Sequence, residues 1–194
     1  MGLDGARGFT LLELLVTITL LGILVTLSLP SFTTWIRNTQ VRSVAEALQS
    51  GVRTAQAEAV RRNRQVIMSF TNDTNPALNP TLAANGKNWS LQTVASPFVN
   101  NNAAEFITAG VLGDVASGVA ISGAPTVICF NADGRLMGPT GSAATASCVR
   151  TPATMQVSQS SSDRPLNVTL SVGGQVRMCD PKRPARSTTS PDGC

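Results

Sequence analysis

The sequence predicts an α+β fold in which one long N-terminal helix packs on an antiparallel β-sheet. The chain of 194 residues opens with an apolar run to Leu29 and continues as an amphipathic stretch to about Asn63. Short β-rich segments then alternate with turn-forming residues. A helix followed by strands is typical of an α+β architecture. We therefore expect the sheet to cover the C-terminal half of the helix.

The apolar run is long enough to cross a membrane. No charged side chain occurs from Leu14 to Ile36, and about 20 apolar residues in a helix span the hydrocarbon core of a bilayer. One carboxylate, that of Glu13, lies near the start of the run. Because an unpaired ionisable group inside such a segment is costly, Glu13 is a candidate functional residue.

Two simpler interpretations fit this segment less well. A secretory signal has a shorter apolar core followed by a small-residue cleavage site, whereas residues 26–30 read Thr-Leu-Ser-Leu-Pro. An ordinary membrane anchor has no use for a carboxylate at position 13. The segment is better explained by a function that uses both the apolar helix and Glu13.

The residues before and within the start of the run form a specific motif. Gly-Phe-Thr-Leu-Leu-Glu at positions 8–13, next to a long apolar run, resembles the class III signal of type IV pilins and type II secretion pseudopilins. The resemblance implies that a prepilin peptidase cuts after Gly8 on the cytoplasmic side and that the new N-terminal residue, Phe9, is N-methylated. It also implies that Glu13 pairs with the N-terminal amine of a neighbouring subunit, which offsets part of the desolvation cost of both charges.

Gly22 and Pro30 are the positions at which we expect the membrane helix to be flexible. Proline lacks an N–H and its ring disfavours the preceding turn, so a simple kink is one possibility. In the resembling family a proline falls at this place in the mature chain, and the segment before it can unwind in the assembled filament. Local melting between the two residues is therefore the other possibility.

The stretch after Ser31 predicts an amphipathic helix. Small and aliphatic residues recur at three- and four-residue steps, which places them on one face. We expect this stripe to be buried: it comprises Val41, Val44, Leu48, Val52, Ala55 and Ala59. A basic cluster, Arg61, Arg62 and Arg64, closes the helix. Since these cations complement the helix dipole, and Arg62 can pair with Glu58, we interpret the cluster as local stabilisation.

The remainder of the chain predicts strands separated by turns. Turn-forming residues occur at 71–88, 100–102, 132–135, 139–151 and 173–174, and the tail after position 179 is expected to be irregular. Residues 132–135 should return the chain as a hairpin. The predicted strands are Gln65–Phe70, Trp89–Val94, Glu105–Thr108, Val119–Ser122, Thr126–Phe130, Thr154–Ser158, Leu166–Val172 and Gln175–Met178.

The four cysteines, Cys129, Cys148, Cys179 and Cys194, all follow the apolar run. An even number of cysteines outside the cytoplasm favours disulfides. The cysteines lack the Cys-x-x-Cys spacing that would indicate a zinc site. Three connectivities are possible for four cysteines. We favour Cys129–Cys148 and Cys179–Cys194, because each pair closes a local loop rich in small and turn-forming residues. A loop of this size would add up to about 3 kcal/mol of stability.

Two further segments resemble the GspH/FimT family of pilin-like proteins. They are Phe-Asn-Ala-Asp-Gly-Arg at 130–135 and Gly-Gly-Gln-Val-Arg at 173–177. The resemblance implies a type IV pilin-like fold. It also implies a minor pilin, near the tip of a type IV pilus, that helps initiate assembly. A type II secretion pseudopilin of the GspH kind shares the same N-terminal chemistry; two disulfides and a basic tail favour the pilus.

DNA binding is a third interpretation. Some FimT proteins bind DNA for natural transformation through a Gly-Arg-x-Arg motif, but positions 174–177 read Gly-Gln-Val-Arg. The candidate contacts are Arg177, Lys182, Arg183 and Arg186, which could neutralise phosphates without sequence preference. Aromatic side chains that could stack a base are not interleaved with them. A solvated tail explains these residues better.

Composition argues against an enzyme. Charged residues make up 13% and aromatic residues 4% of the chain, and it has no His and no Tyr. Because His is the commonest general base and metal ligand, we expect no catalytic residue, metal or cofactor. The expected organisation is a leader (1–8), a transmembrane or filament-core helix (9–30) and a periplasmic domain (31–194), which divides into helix (31–64), β-rich region (65–178) and basic tail (179–194).

The expected partners follow from the pilin resemblance. They are other major and minor pilins, the prepilin peptidase and methyltransferase that processes the chain, and the inner membrane that holds it before assembly. The chain would cross that membrane once, with its C-terminal domain in the periplasm, and later enter a pilus or pseudopilus. DNA is a further partner only on the third interpretation.

Overall fold

One long helix and two antiparallel sheets make up the protein. The computed structural model describes residues 9–95, 103–138, 148 and 150–194. The long helix is α1 (Leu11–Arg62), and a one-turn helix is α2 (Leu112–Val115). The strands are β1 (Val66–Thr71), β2 (Asn88–Thr93), β3 (Phe106–Val111), β4 (Val119–Ser122), β5 (Val127–Phe130), β6 (Ala153–Gln159), β7 (Leu166–Leu170) and β8 (Val176–Cys179). The predicted α+β fold is confirmed.

Local chemistry determines both ends of α1. Thr10 caps the first turn, because its hydroxyl oxygen accepts a hydrogen bond from the backbone N–H of Glu13 at 3.2 Å. At the other end, Asn63 adopts a left-handed conformation (φ 50°, ψ 39°) and its N–H donates to carbonyls of the last turn. The backbone is helical across Gly22 and Pro30, so this conformation contains no melted segment there.

The predicted stripe of α1 is the centre of the core. All six of its residues are buried, and they pack against side chains from both sheets, among them Phe70, Leu91, Met155 and Leu170. The prediction of a helix half buried against a sheet is therefore confirmed. The core is continuous from one sheet to the other across this half of the helix.

The first sheet has the strand order β3-β2-β1-β5 and is covered on both faces. Alternate residues of β1 point in opposite directions: Met68 and Phe70 enter the core beneath α1, whereas Ile67 joins a second cluster on the far face. That second cluster includes Cys129 and Cys148. Every residue of β1 and β2 is consequently buried.

The second sheet has the order β4-β6-β7-β8 and also packs on α1. Our prediction of a single sheet is thus wrong in this respect. The reason lies at the free edge of β5, where the returning chain occupies the position of a further strand: Phe130 bridges Leu136, and the Met137 N–H donates to the Cys129 carbonyl at 3.0 Å. The Leu136 N–H donates to the Val172 carbonyl at 3.2 Å, which joins this edge to the segment between β7 and β8.

Other local predictions agree with the structure, with two additions. The turn at 132–135 does return the chain, although as a short bridge instead of a full hairpin. Helix α2 was not predicted, since four residues carry too little periodicity to be recognised. The tail contains a parallel bridge between Asp180 and Gly193, next to the Cys179–Cys194 disulfide. The predicted loop at 139–151 lies mostly outside the described residues.

Candidate assembly site and comparison with known proteins

The first turn of α1 presents a carboxylate beside an apolar surface. Thr10 and Glu13 stand in the positions of a capping box, three residues apart, and the threonine hydroxyl caps the Glu13 N–H. The Glu13 carboxylate itself has no hydrogen-bond or ion-pair partner among the described residues. Its negative charge at a helix N-terminus is favourable, and it is free to accept a positive group from another molecule.

The apolar residues around Glu13 are exposed. Phe9 is 83% exposed and Leu11 81%. The same surface continues through ten further large side chains: Leu12, Leu14, Leu15, Val16, Ile18, Leu20, Leu21, Ile23, Leu24 and Val25. A soluble monomer rarely exposes so much contiguous apolar area, so this half of the helix is built for lipid or for neighbouring subunits.

Threonines within the apolar segment are already satisfied. The hydroxyl groups of Thr17, Thr19 and Thr26 donate to backbone carbonyls three residues earlier, at 2.8–2.9 Å. These polar groups therefore enter an apolar environment without a lost hydrogen bond. Helix α1 is the helix within the described residues that is long and apolar enough to cross a membrane. Gly8, the predicted cleavage position, lies outside the described residues.

Gly22 has an open environment. A methyl group built at this position would meet no atom within 4 Å. Packing within the subunit therefore gives no reason for a glycine here. The position remains a candidate for flexibility, or for close approach of another helix.

Both disulfides join the cysteines in the favoured pairing. Cys129–Cys148 links β5 to the loop on the far face of the first sheet, and Cys179–Cys194 joins the end of β8 to the C-terminus. All four cysteines are oxidised. The second bond closes the basic tail into a loop.

The two segments that resemble the GspH/FimT family meet each other on α1. The Gln56 side chain donates to the Gly134 carbonyl at 2.8 Å. Gly174 lies against the same carbonyl with φ +86°, and a side chain at this position would collide with both Gly134 and Gln56. Glycine is thus required at position 174 for backbone approach, and Gly134 also has a left-handed φ of +72° that favours glycine. Gln56 joins both turns to the helix, a role that no local sequence pattern indicates.

The basic cluster at the end of α1 is engaged locally. Glu58 accepts hydrogen bonds from Arg61 at 2.6 Å and from Arg62 at 2.8 Å. Arg62 also reaches Glu105 at 3.2 Å, and Arg64 lies 3.7 Å from the same carboxylate. The Arg61 and Arg62 guanidinium groups lower the pKa of Glu58 to about 2. The interpretation of this cluster as local stabilisation is confirmed.

The four candidate DNA contacts do not form one cluster of free cations. Lys182 donates to the Asp163 carbonyl at 2.6 Å, and Arg183 pairs with Asp192 at 2.9 Å. Arg177 and Arg186 are exposed and have no side-chain partner among the described residues. Two of the four charges are therefore partly satisfied within the protein.

A helix with one exposed apolar half, a glutamate in its capped first turn and a β-rich domain on its other half is the architecture of pilin-like subunits. The family described as "Type II transport protein GspH" matches residues 44–174, and the prokaryotic N-terminal methylation motif matches residues 4–29. The chain belongs to the GspH family. It is a pilin-like subunit of the kind found in type IV pili and type II secretion systems.

Comparison with solved structures gives one match with a TM-score above 0.5, at low sequence identity, and further matches below that value. The type IV minor pilin FimU of Pseudomonas aeruginosa is 19% identical; the match covers 80% of this chain and 96% of FimU, with a TM-score of 0.51. The minor pseudopilin EpsH of Vibrio cholerae is 12% identical over 74% of this chain and 99% of EpsH, with a TM-score of 0.47. E. coli GspH is 14% identical over 76% and 94%, with a TM-score of 0.45. No curated protein sequence matches the chain.

Proposed function

We propose that this protein is a minor pilin of a type IV pilus. The prepilin peptidase cuts it after Gly8, Phe9 is N-methylated, and the chain waits in the inner membrane with its domain in the periplasm. It then enters the filament at or near the tip and helps to initiate assembly. The FimU-like fold and the methylation motif support this proposal.

The unpartnered carboxylate of Glu13 is the observation on which the proposal mainly rests. It lies at the N-terminal turn of an apolar surface that is exposed over its whole length. In a filament core, the N-terminal amine of a neighbour would supply the opposite charge. A buried carboxylate left without that charge would disfavour assembly by several kcal/mol.

Substitution of Glu13 tests this role. We expect Glu13→Ala and Glu13→Gln to leave the protein in the membrane fraction, because the apolar segment is unchanged, but to lower its amount in sheared filaments about tenfold or more, which corresponds to about 1.4 kcal/mol per factor of ten. Glu46→Gln is the matched control, since Glu46 carries the same charge on the exposed face of the domain helix. Equal incorporation of both glutamine variants would contradict the proposal.

Processing is tested separately at the leader. Gly8→Arg should block cleavage, so the precursor keeps its first eight residues and Phe9 stays unmethylated. Mass spectrometry of the membrane-bound protein distinguishes the two forms. A variant that is still shortened to Phe9 would show that Gly8 does not direct the cut.

A pseudopilin of a type II secretion system is the second candidate function, because the matching family carries that description. Deletion of the gene distinguishes the two. Loss of surface pili with normal release of secreted enzymes supports the minor pilin, and the reverse result supports the pseudopilin. Genes next to this one give an independent indication.

DNA binding is a third candidate function, for which Arg177 and Arg186 are the available contacts. Both are exposed cations without a partner among the described residues. A gel-shift assay with the fragment from Ser31 should show binding that weakens steeply with salt. Absence of a shift at low salt would eliminate this candidate.

A further inference from the structure

One end of the domain lies next to the exit of the membrane segment. We call it the membrane-proximal end; it consists of helix residues 31–42, the turn 160–165 and the disulfide loop 180–193. Asn38 donates to the Asp163 carboxylate, and Arg37 reaches the Ser160 carbonyl at 3.4 Å. Lys182 donates to the Asp163 carbonyl, which attaches the disulfide loop to the same turn.

The opposite end of the domain is far from this site. Gln56 holds the turns at Gly134 and Gly174, and it follows Asn38 by 18 residues along α1. At a rise of 1.5 Å per residue, this separation is about 27 Å. The disulfide loop is therefore at the membrane-proximal end. Its place in the sequence, at the C-terminus, does not indicate this location in the fold.

An exposed aromatic pair marks the same end. Phe32 and Trp35 stack with their ring centroids 5.8 Å apart, and they are 59% and 62% exposed. Trp35 also lines a groove of about 850 Å³ together with Asn38, Arg164 and Asp180. Aromatic rings are enriched where a spanning helix leaves the hydrocarbon core and enters the headgroup layer.

The charges at this end favour an anionic surface. It contains six cations, Arg37, Arg42, Arg164, Lys182, Arg183 and Arg186, and three carboxylates, Asp163, Asp180 and Asp192, and Glu46 lies one turn of α1 beyond it. Each carboxylate already has a partner, since Arg42 pairs with Glu46, Arg183 with both Asp180 and Asp192, and Asn38 with Asp163. Arg164 and Arg186 are exposed and have no side-chain partner among the described residues.

The distances fit a headgroup contact. If the hydrocarbon core ends near Leu29, Trp35 lies about 9 Å above it and Asn38 about 13 Å above it on an upright helix. Headgroup layers are roughly 5–8 Å thick, so the backbone of Trp35 lies at the outer edge of this layer. Helical side chains lean toward the N-terminus, here toward the membrane, which brings the Trp35 ring into the layer. Arg164 lies in the turn attached to Asn38, several ångströms outside this layer, and an extended arginine side chain can span that gap, so its guanidinium can reach the phosphates.

We propose that the membrane-proximal end binds anionic phospholipid headgroups while the subunit resides in the membrane before assembly. Phe32 and Trp35 enter the interface, and Arg164 and Arg186 contact the phosphates. The contact orients the domain on the bilayer, and it must be released when the subunit leaves for the filament. This inference rests on the membrane anchor of the proposed function.

Hydrogen exchange of the full chain in vesicles tests the contact. Backbone amides in residues 160–165 and 180–193 should be protected in phosphatidylglycerol–phosphatidylcholine vesicles relative to pure phosphatidylcholine, and the protection should weaken with salt. The double variant R164Q/R186Q should reduce this difference about thirtyfold, as expected for two cations near an anionic surface. R53Q/R135Q is the control, because it removes the same charge from exposed arginines outside this end.

The outcomes of this experiment distinguish failure of the headgroup contact from failure of the membrane anchor. Extraction of the chain by alkaline carbonate would refute the anchor and this proposal together. If the chain stays in the membrane but exchanges equally in both kinds of vesicle, the headgroup contact alone would be refuted. The same holds if R53Q/R135Q loses as much protection as R164Q/R186Q.

Tryptophan fluorescence measures the aromatic part of the contact. The chain has two tryptophans, Trp35 and the buried Trp89. The difference between the wild type and Trp35→Phe reports Trp35 alone. Lipids with quenchers near the headgroup should quench this signal more than lipids with quenchers in mid-chain; equal insensitivity to both would overturn the placement.

Discussion

The two halves of α1 carry apolar side chains of similar chemistry in opposite environments. In the first half, from Leu11 to Val25, the large apolar residues are exposed; in the second, the stripe from Val41 to Ala59 is fully buried by two sheets. The second half is completed by the chain itself, whereas the first needs lipid or other subunits. The helix thus joins a surface that is buried when the domain folds to a surface that remains exposed for lipid or other subunits.

This division separates stability from assembly. Burial of apolar area stabilises only the state in which that area is covered. Substitutions in the stripe should therefore change the folding of the domain. Substitutions in the first half should change only membrane insertion or filament formation.

Removal of core volume should give the largest effect. Leu48→Ala removes a fully buried side chain and leaves a cavity, so we expect the free energy of unfolding of the domain to fall by about 2–5 kcal/mol. Leu20→Ala makes the same chemical change in the exposed half and should leave that value unchanged. Denaturant titration of the full chain in detergent micelles measures both. An equal loss in the two variants would show that the halves fold as one unit.

Two glycine-to-alanine substitutions, one in each part of the molecule, should give a stability effect of intermediate size. A methyl group at Gly110 would collide with the Trp89 ring, which is also in close contact with Gly51. We expect Gly110→Ala to destabilise the domain by about 1–3 kcal/mol through overpacking. Gly22→Ala meets open space and should raise local helix stability by up to about 1 kcal/mol without changing the domain.

The same two variants also examine the role of Gly22 in assembly. If Gly22 provides flexibility, Gly22→Ala should lower incorporation into filaments while thermal unfolding of the domain is unaffected. Incorporation at the wild-type level would show that this glycine has no assembly role. A stable Gly110→Ala domain would show that Trp89 can move without cost.

Much of this division could be predicted from sequence, because it depends on local patterns. A three- and four-residue period identified the stripe from Val41 to Ala59, and an uncharged run identified the exposed half. The β-rich segments gave the strands, and close spacing in sequence favoured the disulfide pairs. Each of these features depends on neighbours within a few turns or within one loop.

Features that depend on distant residues could not be predicted. At the edge of β5, the Leu136 N–H donates to Val172, which follows it by 36 residues. Gln56 contacts turns that are far away in sequence. The attachment of Lys182 to the turn at Asp163 places the basic tail at the same end of the domain as Asn38, whose side chain donates to Asp163. The capping role of Thr10 is of the local kind, because Thr10 accepts from Glu13 three residues later and Thr-Leu-Leu-Glu has the spacing of a capping box.

Removal of the Glu58 charge should give the smallest effect on the free energy of unfolding, and this effect should depend on pH. Hydrogen bonds from Arg61 and Arg62 lower the pKa of Glu58 from 4.5 to about 2, so the ionised form stabilises the domain. This contribution is complete above about pH 4.5 and is lost as the pH falls toward 2. Glu58→Gln should therefore lower the free energy of unfolding by about 1 kcal/mol at pH 7, and the difference from wild type should vanish near pH 2. Glu46→Gln, which breaks an exposed pair with Arg42, should cost less than about 0.5 kcal/mol. If Glu58→Gln lowered the free energy of unfolding by the same amount at every pH, packing and not charge would be the cause. The end of α1 would then stabilise the domain as Leu48 does, through packing in the core.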